Sequence, residues 1–415
     1  MDQISLHHPS RKVHATIQLT GSKSESNRAL LLQELSNGTV QIVNLSEADD
    51  TRLMQESLKE LNEAISLDNV NLDVGPAGTV MRFLTALLTL RPGQYHITGS
   101  RRMKERPIAL LVEALQTLGG RITYADRVGF PPLNIEGGFK QKTNEVQIPG
   151  DVSSQYLSAL LMIAPALENG LKLQIIGELT SKPYLSMTLN MLAEAGIEHQ
   201  WHGDLIHIAP QSFRPCVLEI EPDWSAASYW YSILALAEEG EIQLPGLKEN
   251  SLQGDQAIVK IMERFGVYTT FNKEGVLLRK GPLESSEEVL DFTECPDLAQ
   301  TVIACAAALK MDLRATGLHT LRIKETDRII ALQQEIGKFG AILTSDDDGI
   351  FQLDTQAVNL AKPIRIHTYE DHRMAMAFAP LALMFDQIII ETPEVVEKSY
   401  PNFWVHLLKA GFSEA

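Results

Sequence analysis

A repeated pair of helical phrases is the strongest constraint on the fold of this 415-residue chain. The first phrase is a small polar cluster that opens a very apolar helix. From the second copy onward, successive copies start 71 to 76 residues apart. A near-constant interval of this size indicates repeats of one supersecondary unit. The copies begin at Ser22, Gly75, Asp151, Pro222, Cys295 and Glu370.

The second phrase is an amphipathic helix closed by a glycine and followed by a strand. Glycine is common just after a helix because it readily adopts the left-handed backbone conformation. Helix–glycine–strand phrases occur in any α/β protein, but two interleaved phrases with one spacing favour true repeats. We predict six units, each with a buried apolar helix and a half-exposed amphipathic helix. The closing glycines are Gly120, Gly196, Gly266, Gly340 and Gly411.

The length of the chain favours two domains rather than one. Single hydrophobic cores stop growing well below 415 residues. Six units divide evenly into three per domain, with a boundary near Pro222. Because no Gly/Ser-rich linker marks that boundary, we expect the connection to be short.

The composition excludes several classes of partner. A formal net charge of −17 disfavours nucleic acid and anionic membranes. The longest uncharged apolar run, residues 374–385, is too short to span a bilayer. Three cysteines without a CxxC motif, and an N-terminus without an apolar signal segment, predict a cytoplasmic protein.

Cations are nevertheless concentrated at a few places. Lys23 and Arg28 lie in the first polar cluster, where a helix N-terminus also attracts anions. Further cations lie in 101–107, in 322–328 and at Lys398. Each stretch alone also fits a surface salt-bridge network, but together they indicate a pocket for a polyanionic ligand.

Two carboxylates among these cations are candidates for proton transfer. Asp297 follows Pro296 at a helix start, and Glu325 lies between Lys324 and Arg328. A carboxylate among cations stays ionised and can accept a proton from a hydroxyl group. A helix cap for Asp297 and an ion pair for Glu325 are equally compatible with the sequence.

The motifs in this chain resemble those of the 5-enolpyruvylshikimate-3-phosphate synthase family, and they occur in the family's order. The resemblance covers essentially the whole chain, and RIKETDR and DHRMAM are its most specific motifs. The others are GSKSESNRAL, GPAGTVMR, RMKERPI, DVSSQYLSALL, SKPY, PDLAQT and EKSYPNFW.

The resemblance implies an α/β fold of the enolpyruvyl transferase type. This fold is a two-domain inside-out α/β barrel built from six βαβαββ repeats, three per domain. It implies that residues 1–20 and 223–415 form one domain and residues 21–222 the other, with the active site in the cleft between them.

The resemblance also implies the reaction. The enolpyruvyl group of phosphoenolpyruvate is transferred to the 5-hydroxyl of 3-phosphoshikimate, and phosphate is released, as a step of the shikimate pathway. The enzyme would be a transferase of the EC 2.5.1 class that needs no cofactor and no metal. We expect it to act as a monomer on these two small substrates.

The site residues follow from the same resemblance. Asp297 would take the proton of the 5-hydroxyl, and Glu325 with Lys23 would manage the proton at the enol methylene. His372 would be a further site residue beside the phosphates. The expected phosphoshikimate ligands are Lys23, Ser24, Arg28, Ser153, Ser154, Gln155, Ser181, Asp297 and Lys324. The expected phosphoenolpyruvate ligands are Lys23, Gly78, Arg106, Gln155, Arg328, Arg373 and Lys398.

Two other functions were weighed against this one. A UDP-N-acetylglucosamine enolpyruvyl transferase has the same fold, but Asn would be expected where Ser24 follows Lys23, and residues 101–107 contain no cysteine. A non-catalytic repeat scaffold that binds a polyanion would keep the cations but would have no use for Asp297 and Glu325.

Overall fold

The structure is a computed structural model that describes residues 2–64, 69–283 and 289–414. Within these ranges the chain forms twenty-two strands and twelve helices. The strands are β1 (Gln3–His7), β2 (Lys12–Thr16), β3 (Val40–Val43), β4 (Val70–Asp73), β5 (Gly93–Thr98), β6 (Arg121–Tyr124), β7 (Leu133–Gly137), β8 (Glu145–Pro149), β9 (Leu171–Ile176), β10 (Gln200–His202), β11 (Leu205–Ile208), β12 (Cys216–Glu219), β13 (Glu239–Pro245), β14 (Val267–Asn272), β15 (Gly275–Lys280), β16 (Leu290–Asp291), β17 (Leu313–Thr316), β18 (Ile342–Ser345), β19 (Phe351–Asp354), β20 (Ile364–Ile366), β21 (Ile388–Glu391) and β22 (Ser413–Glu414). The helices are α1 (Lys23–Leu35), α2 (Asp49–Glu63), α3 (Gly78–Leu90), α4 (Ala109–Leu118), α5 (Ser154–Ile163), α6 (Lys182–Glu194), α7 (Trp224–Leu236), α8 (Ile258–Glu263), α9 (Ala299–Leu309), α10 (Arg328–Gly337), α11 (His372–Phe378) and α12 (Phe403–Lys409).

The chain divides into two compact units. The N-terminal unit is Gly21–Ile220, and the C-terminal unit joins Met1–Thr20 to Glu221–Ala415. The division differs by two residues from the sequence-based boundary, which assigned Glu221 and Pro222 to the first domain. The reason is the Glu221 carboxylate, which accepts hydrogen bonds from the Trp224 ring nitrogen and the Lys248 backbone nitrogen, both at 2.8 Å.

Five four-stranded sheets within the described residues share one strand order. In four of them the strands, numbered in chain order, are arranged first, second, fourth and third, and in the fifth β1 from the N-terminus occupies the place of the fourth strand. The first two strands are parallel in every sheet. The last two are antiparallel and form a hairpin in four sheets, whereas β22 pairs with β1 from the other end of the chain. The sheets are β4-β5-β7-β6, β8-β9-β11-β10, β2-β13-β15-β14, β16-β17-β19-β18 and β20-β21-β1-β22.

The sixth sheet has fewer described strands than the other five. Across the described ranges it has only two strands, with β12 parallel to β3. Six residues separate Glu63, the end of α2, from Val70, the start of β4, and residues 65–68 of that interval lie outside the described residues. The described residues thus contain six sheets, one for each predicted repeat.

Three apolar helices form the core of each unit, as predicted. In the N-terminal unit α1, α3 and α5 contact one another, and in the C-terminal unit α7, α9 and α11 do so. Twelve of the thirteen residues of α7 are buried, against six of fifteen in the amphipathic α2. A helix that is apolar on all sides must be covered on all sides, which explains helices inside and sheets outside. In the described part of the chain, no helix is long and apolar enough to cross a membrane.

Four of the five predicted glycines end their helices in the left-handed conformation, and the fifth prediction is wrong by one residue. Gly196, Gly266, Gly340 and Gly411 have φ angles of +74° to +98°, in the left-handed region. After α4 the left-handed residue is Gly119, with φ of +119°, and not the predicted Gly120. The two glycines are adjacent, so the sequence alone did not distinguish which one ends the helix.

Candidate active site

The predicted site residues lie mainly at the N-termini of the buried helices. Lys23, Gly78, Ser154 and His372 are the first residues of α1, α3, α5 and α11. Asp297 lies in the short helical turn that leads into α9. The first turn of a helix leaves backbone N–H groups without intrahelical partners, so these positions favour anionic ligands.

In the C-terminal unit, three helix N-termini meet at Arg373. Its Nη2 atom lies 2.9 Å from the Asp297 carboxylate and 3.3 Å from the Ser225 hydroxyl of α7. Its Nη1 atom donates to the Asp297 backbone oxygen at 3.2 Å and lies 3.4 Å from the Tyr229 hydroxyl. The N-termini of α7, α9 and α11 therefore come together, as the sequence predicted for this half of the chain.

Asp297 is surrounded by three cations. Arg328 Nη1 and Arg373 Nη2 each lie 2.9 Å from a carboxylate oxygen of Asp297, and Lys324 Nζ lies 3.6 Å away. Burial by itself would raise the pKa of Asp297, but the charges of Arg373, Lys324 and Arg328 outweigh it. They hold the pKa well below its usual range. Asp297 is therefore ionised in this arrangement and able to accept a proton.

Arg328 is the buried centre of the cluster. Its side chain is only 2% exposed, and its Nε lies 2.7 Å from Asp371 while its Nη2 lies 2.8 Å from Glu325. Burial lowers the pKa of Arg328, but Asp371, Glu325 and Asp297 together raise it above its ordinary value. Asp371 was absent from the predicted site, although its position next to His372 in the DHR triplet was a usable signal.

Glu325 bridges two cations. One carboxylate oxygen accepts from Arg328, and the other lies 3.8 Å from Lys398 Nζ. Lys398 is itself buried at the end of the helical turn Pro393–Lys398. The sequence predicted this grouping of Glu325 with Arg328 and Lys398 in one site, and the structure brings the three side chains together.

His372 is buried beside the same cluster. Its Nδ1 atom lies 3.5 Å from Asp371 Oδ1, and the Asp371 carboxylate caps α11 by accepting from the Arg373 backbone nitrogen at 2.9 Å. His372 thus adjoins the carboxylate that binds Arg328.

In the N-terminal unit, Lys23 is paired with a carboxylate that the sequence analysis did not identify. Lys23 Nζ lies 3.2 Å from Asp50 Oδ2, and Asp50 is buried near the start of α2. The only signal in the sequence was the pair of aspartates, Asp49 and Asp50, that opens this helix. The charge of Lys23 is therefore partly balanced within its own unit.

Arg28 differs from Lys23 because its hydrogen-bond partners are neutral. Its guanidinium donates to the Thr188 hydroxyl at 2.7 Å, the Ser24 backbone oxygen at 2.8 Å and the Ser158 hydroxyl at 3.0 Å. Among the described residues, no carboxylate forms a salt bridge with Arg28. Burial lowers its pKa to about 10. A buried cation held by neutral groups is well suited to bind an anion.

The serines and glutamine of the third cluster lie at the start of α5. The Ser153 hydroxyl caps α5 by accepting from the Gln155 backbone nitrogen at 3.4 Å, and the Gln155 side chain donates to Thr79 at 3.1 Å. Ser154 is the first residue of α5. Ser181 adopts a left-handed conformation with φ of +55° just before α6. Such strain in a non-glycine residue is typical of functional sites.

Gly78 and Arg106 are in close contact at the start of α3. A Cβ atom added to Gly78 would lie 2.7 Å from Arg106 Nη1, so the glycine leaves room for the guanidinium. Arg82 supports this segment, because its guanidinium donates to the Gly78 oxygen at 3.2 Å and the Pro107 oxygen at 3.0 Å. The geometry explains why a glycine stands at this position of the second motif.

Comparisons with known sequences agree with these features. A family model described as EPSP synthase (3-phosphoshikimate 1-carboxyvinyltransferase) matches residues 7–407. The chain is 47% identical over 405 residues to a 3-phosphoshikimate 1-carboxyvinyltransferase of Bacteroides fragilis, covering 97% of this chain and 96% of that protein. It is 38% identical over 426 residues to the enzyme of the same name from Shewanella halifaxensis, covering 97% and 98%.

Solved structures of this fold are also similar. The EPSP synthase from Acinetobacter baumannii matches over the full length of both chains, with a TM-score of 0.76 and 20% identity. The enolpyruvyl transferase NikO from Streptomyces tendae matches with a TM-score of 0.74 and 14% identity, covering 100% of this chain and 98% of that one. These similarities confirm the predicted enolpyruvyl transferase-like fold. With the full-length sequence matches, they show that the chain belongs to the EPSP synthase (3-phosphoshikimate 1-carboxyvinyltransferase) family.

Proposed function

We propose that this chain transfers the enolpyruvyl group of phosphoenolpyruvate to the 5-hydroxyl of 3-phosphoshikimate and releases phosphate, as a transferase of the shikimate pathway. One observation within the chain carries the proposal. Asp297 and Glu325, two carboxylates suited to proton transfer, are bound to the same buried guanidinium of Arg328 at 2.9 and 2.8 Å. This arrangement combines proton transfer with anion binding, as an addition–elimination on a phosphate ester requires.

The reaction proceeds in two balanced steps. In the first, the 5-hydroxyl oxygen bonds to C2 of phosphoenolpyruvate while Asp297 accepts the hydroxyl proton and C3 gains a proton from the Lys23 ammonium group or from Glu325 in its protonated form. In the second, the C2–O bond to the phosphate breaks, and the phosphate leaves with the electron pair and takes up the proton held by Asp297. The methyl group returns a proton to the group that supplied it, and the C2–C3 double bond of the enol ether forms. Every proton and electron pair is accounted for without a redox partner.

Substrate binding makes Asp297 a better base. In the structure Arg328 and Arg373 keep its pKa low. The carboxylate and phosphate of phosphoenolpyruvate compete for those guanidinium groups, which prefer forked anions. As Arg328 and Arg373 turn to the substrate, Asp297 loses neutralising charge and its affinity for the hydroxyl proton increases.

The residues assigned to the two substrates are those of the family's motifs. For phosphoshikimate, Arg28 is the main candidate for the phosphate because its charge lies among neutral partners. The assigned phosphoshikimate residues are Lys23, Ser24, Arg28, Ser153, Ser154, Gln155, Ser181, Asp297 and Lys324. The assigned phosphoenolpyruvate residues are Lys23, Gly78, Arg106, Gln155, Arg328, Arg373 and Lys398.

The rival functions are not favoured. The sequence matches are to 3-phosphoshikimate 1-carboxyvinyltransferases, which argues against a UDP-N-acetylglucosamine enolpyruvyl transferase. A scaffold would gain nothing from carboxylates that occupy the guanidinium groups its ligand needs. We also propose that the enzyme is cytoplasmic and acts as a monomer. Three unpaired cysteines are typical of a reducing compartment such as the cytoplasm. Light scattering tests the monomer.

A phosphate-release assay tests the function. We expect phosphate to appear only when phosphoenolpyruvate and 3-phosphoshikimate are both present, and not when UDP-N-acetylglucosamine replaces the latter. The variant Glu325→Gln should release phosphate at least about 100-fold more slowly. Release with UDP-N-acetylglucosamine, or no release with either acceptor, would refute the proposal.

A further inference from the structure

A buried chain of polar contacts reaches Arg373 from the side of α7. The Ser225 hydroxyl donates a short hydrogen bond to Asp255 Oδ2. The same hydroxyl oxygen accepts from Arg373 Nη2 at 3.3 Å, and this nitrogen also donates to Asp297 at 2.9 Å. Asp255 is therefore connected to the proposed base through one hydroxyl and one guanidinium.

Asp255 lies in an environment that disfavours its charge. It is only 3% exposed in the helical turn Gly254–Ala257, and within the described residues its Oδ1 atom has no hydrogen-bond partner. Burial raises the pKa of Asp255 to about 6, helped by the charges of Asp297 and Asp223 and opposed by Arg373. A half-satisfied buried carboxylate reduces stability, so its presence points to another role.

The hydroxyl between the two groups has only one proton to donate. When Asp255 is ionised, Ser225 gives that proton to the carboxylate and turns its lone pairs to Arg373. When Asp255 is protonated, it becomes a donor itself, and the Ser225 proton is free to turn towards Arg373, which cannot accept it. The ionised form of Asp255 therefore keeps the Ser225 lone pairs towards Arg373, and protonation of Asp255 removes this constraint.

We infer that Asp255 is a positioning residue for phosphoenolpyruvate, which acts through the Ser225 hydroxyl to hold the Arg373 guanidinium in place. The inference rests on the proposed function, because Arg373 is assigned there to phosphoenolpyruvate. A planar guanidinium binds a forked anion well only in a narrow range of orientations. A residue that fixes its orientation therefore affects substrate affinity without touching the substrate.

The variant Asp255→Asn tests this role because it removes the charge and keeps the shape. We compare kcat/KM for phosphoenolpyruvate in the wild type and the variant from pH 5 to 8.5, with phosphoshikimate saturating. At pH 8 the ratio of wild-type to variant kcat/KM should be about ten, mainly because the variant has a higher KM. This is the loss expected for one hydrogen bond to a charged group. Near pH 5 the ratio should approach one, because Asp255 is then neutral in both proteins.

Taking the ratio removes a complication. A phosphate monoester also changes charge near pH ~6, but this affects both proteins equally. A second buried carboxylate serves as control: Glu221 also has a raised pKa, caused by burial, but its hydrogen bonds go to Trp224, Lys248 and Ser251. The variant Glu221→Gln should therefore give a ratio that is constant with pH.

Substitutions at Ser225 test the chain of contacts. Ser225→Ala should resemble Asp255→Asn, whereas Ser225→Thr keeps the hydroxyl and should retain most of the activity. The double variant should be no worse than Ser225→Ala alone, since both changes break one chain. A ratio independent of pH, a loss only in kcat, or additive effects in the double variant would overturn the inference. A wild type that does not convert the two substrates would instead refute the proposed function.

Discussion

The guanidinium of Arg328 lies 2.9 Å from the carboxylate of Asp297. The same group also binds Glu325 and Asp371, so one buried cation is shared by three carboxylates. The cluster is thus largely neutralised by its own residues before any substrate binds. In the proposed reaction, substrate anions compete with protein carboxylates for these cations, which would link substrate binding to the release of the base.

Asp297→Asn should lower kcat by about 10²–10⁴-fold, because the amide cannot accept the hydroxyl proton. The amide still fits beside Arg328 and Arg373, so phosphoshikimate should bind within a few-fold of the wild-type Kd by calorimetry. The control is Asp291→Asn, because Asp291 is an exposed carboxylate of the same unit that accepts a hydrogen bond from Thr293. This variant should have a normal kcat. Turnover close to normal in Asp297→Asn would contradict its role as base.

Arg328→Met should reduce the free energy of unfolding by about 3–5 kcal/mol, because it leaves buried carboxylates without their shared cation. Urea denaturation measures this change. Arg279→Met is the matched control, since Arg279 forms an exposed pair with Glu241, and such pairs contribute about 0–1 kcal/mol. Equal effects of the two substitutions would show that the buried cluster does not depend on Arg328.

Arg28→Met should weaken phosphoshikimate binding by about 10- to 100-fold, the loss expected for hydrogen bonds to a charged group. Its stability should be unchanged or higher, because the variant no longer buries a cation among neutral partners. Calorimetry gives the Kd and urea denaturation gives the stability. A large loss of stability with unchanged affinity would mean that Arg28 is structural.

Gly78→Ala should raise the KM for phosphoenolpyruvate and leave the fold intact. The new Cβ would lie 2.7 Å from the end of the Arg106 side chain, which is flexible enough to move away. Gly337→Ala is the control, because no atom lies within 4 Å of an added Cβ at that exposed helical glycine. An unchanged KM in Gly78→Ala would argue against Arg106 as a ligand.

Asp255→Asn should be more stable than the wild type at neutral pH. The pKa of Asp255 is raised from 3.8 to about 6 in the folded protein. Its favourable contribution to the free energy of unfolding is therefore complete below pH ~4 and is lost as the pH rises through 6. The free energy of unfolding of the variant should exceed that of the wild type by on the order of 2–3 kcal/mol at pH 7.5 and by almost nothing at pH 4. Urea denaturation at both pH values measures the difference, and a destabilised variant would contradict the raised pKa.

Much of the fold was readable from the sequence because its determinants are local. A helix that is buried on all sides requires an uninterrupted apolar surface. The apolar sequences of α7 and α9 therefore predicted that both helices are buried. The glycines that end the helices were also predictable, because a left-handed backbone conformation is a local requirement that favours glycine at that position. Most predicted site residues lie at helix starts, which polar clusters mark in the sequence.

The partners of the site residues were decided only by the tertiary structure. Asp371 binds Arg328 across 43 positions of sequence, and Ser158 binds Arg28 across 130. The contact of Ser225 with Asp255, and the pairing of β3 with β12, were likewise not apparent from any motif. Hydrophobic periodicity records which face of an element is buried, but not which residue of another element it meets. Which charges neutralise one another depends on distances that only the packed chain defines.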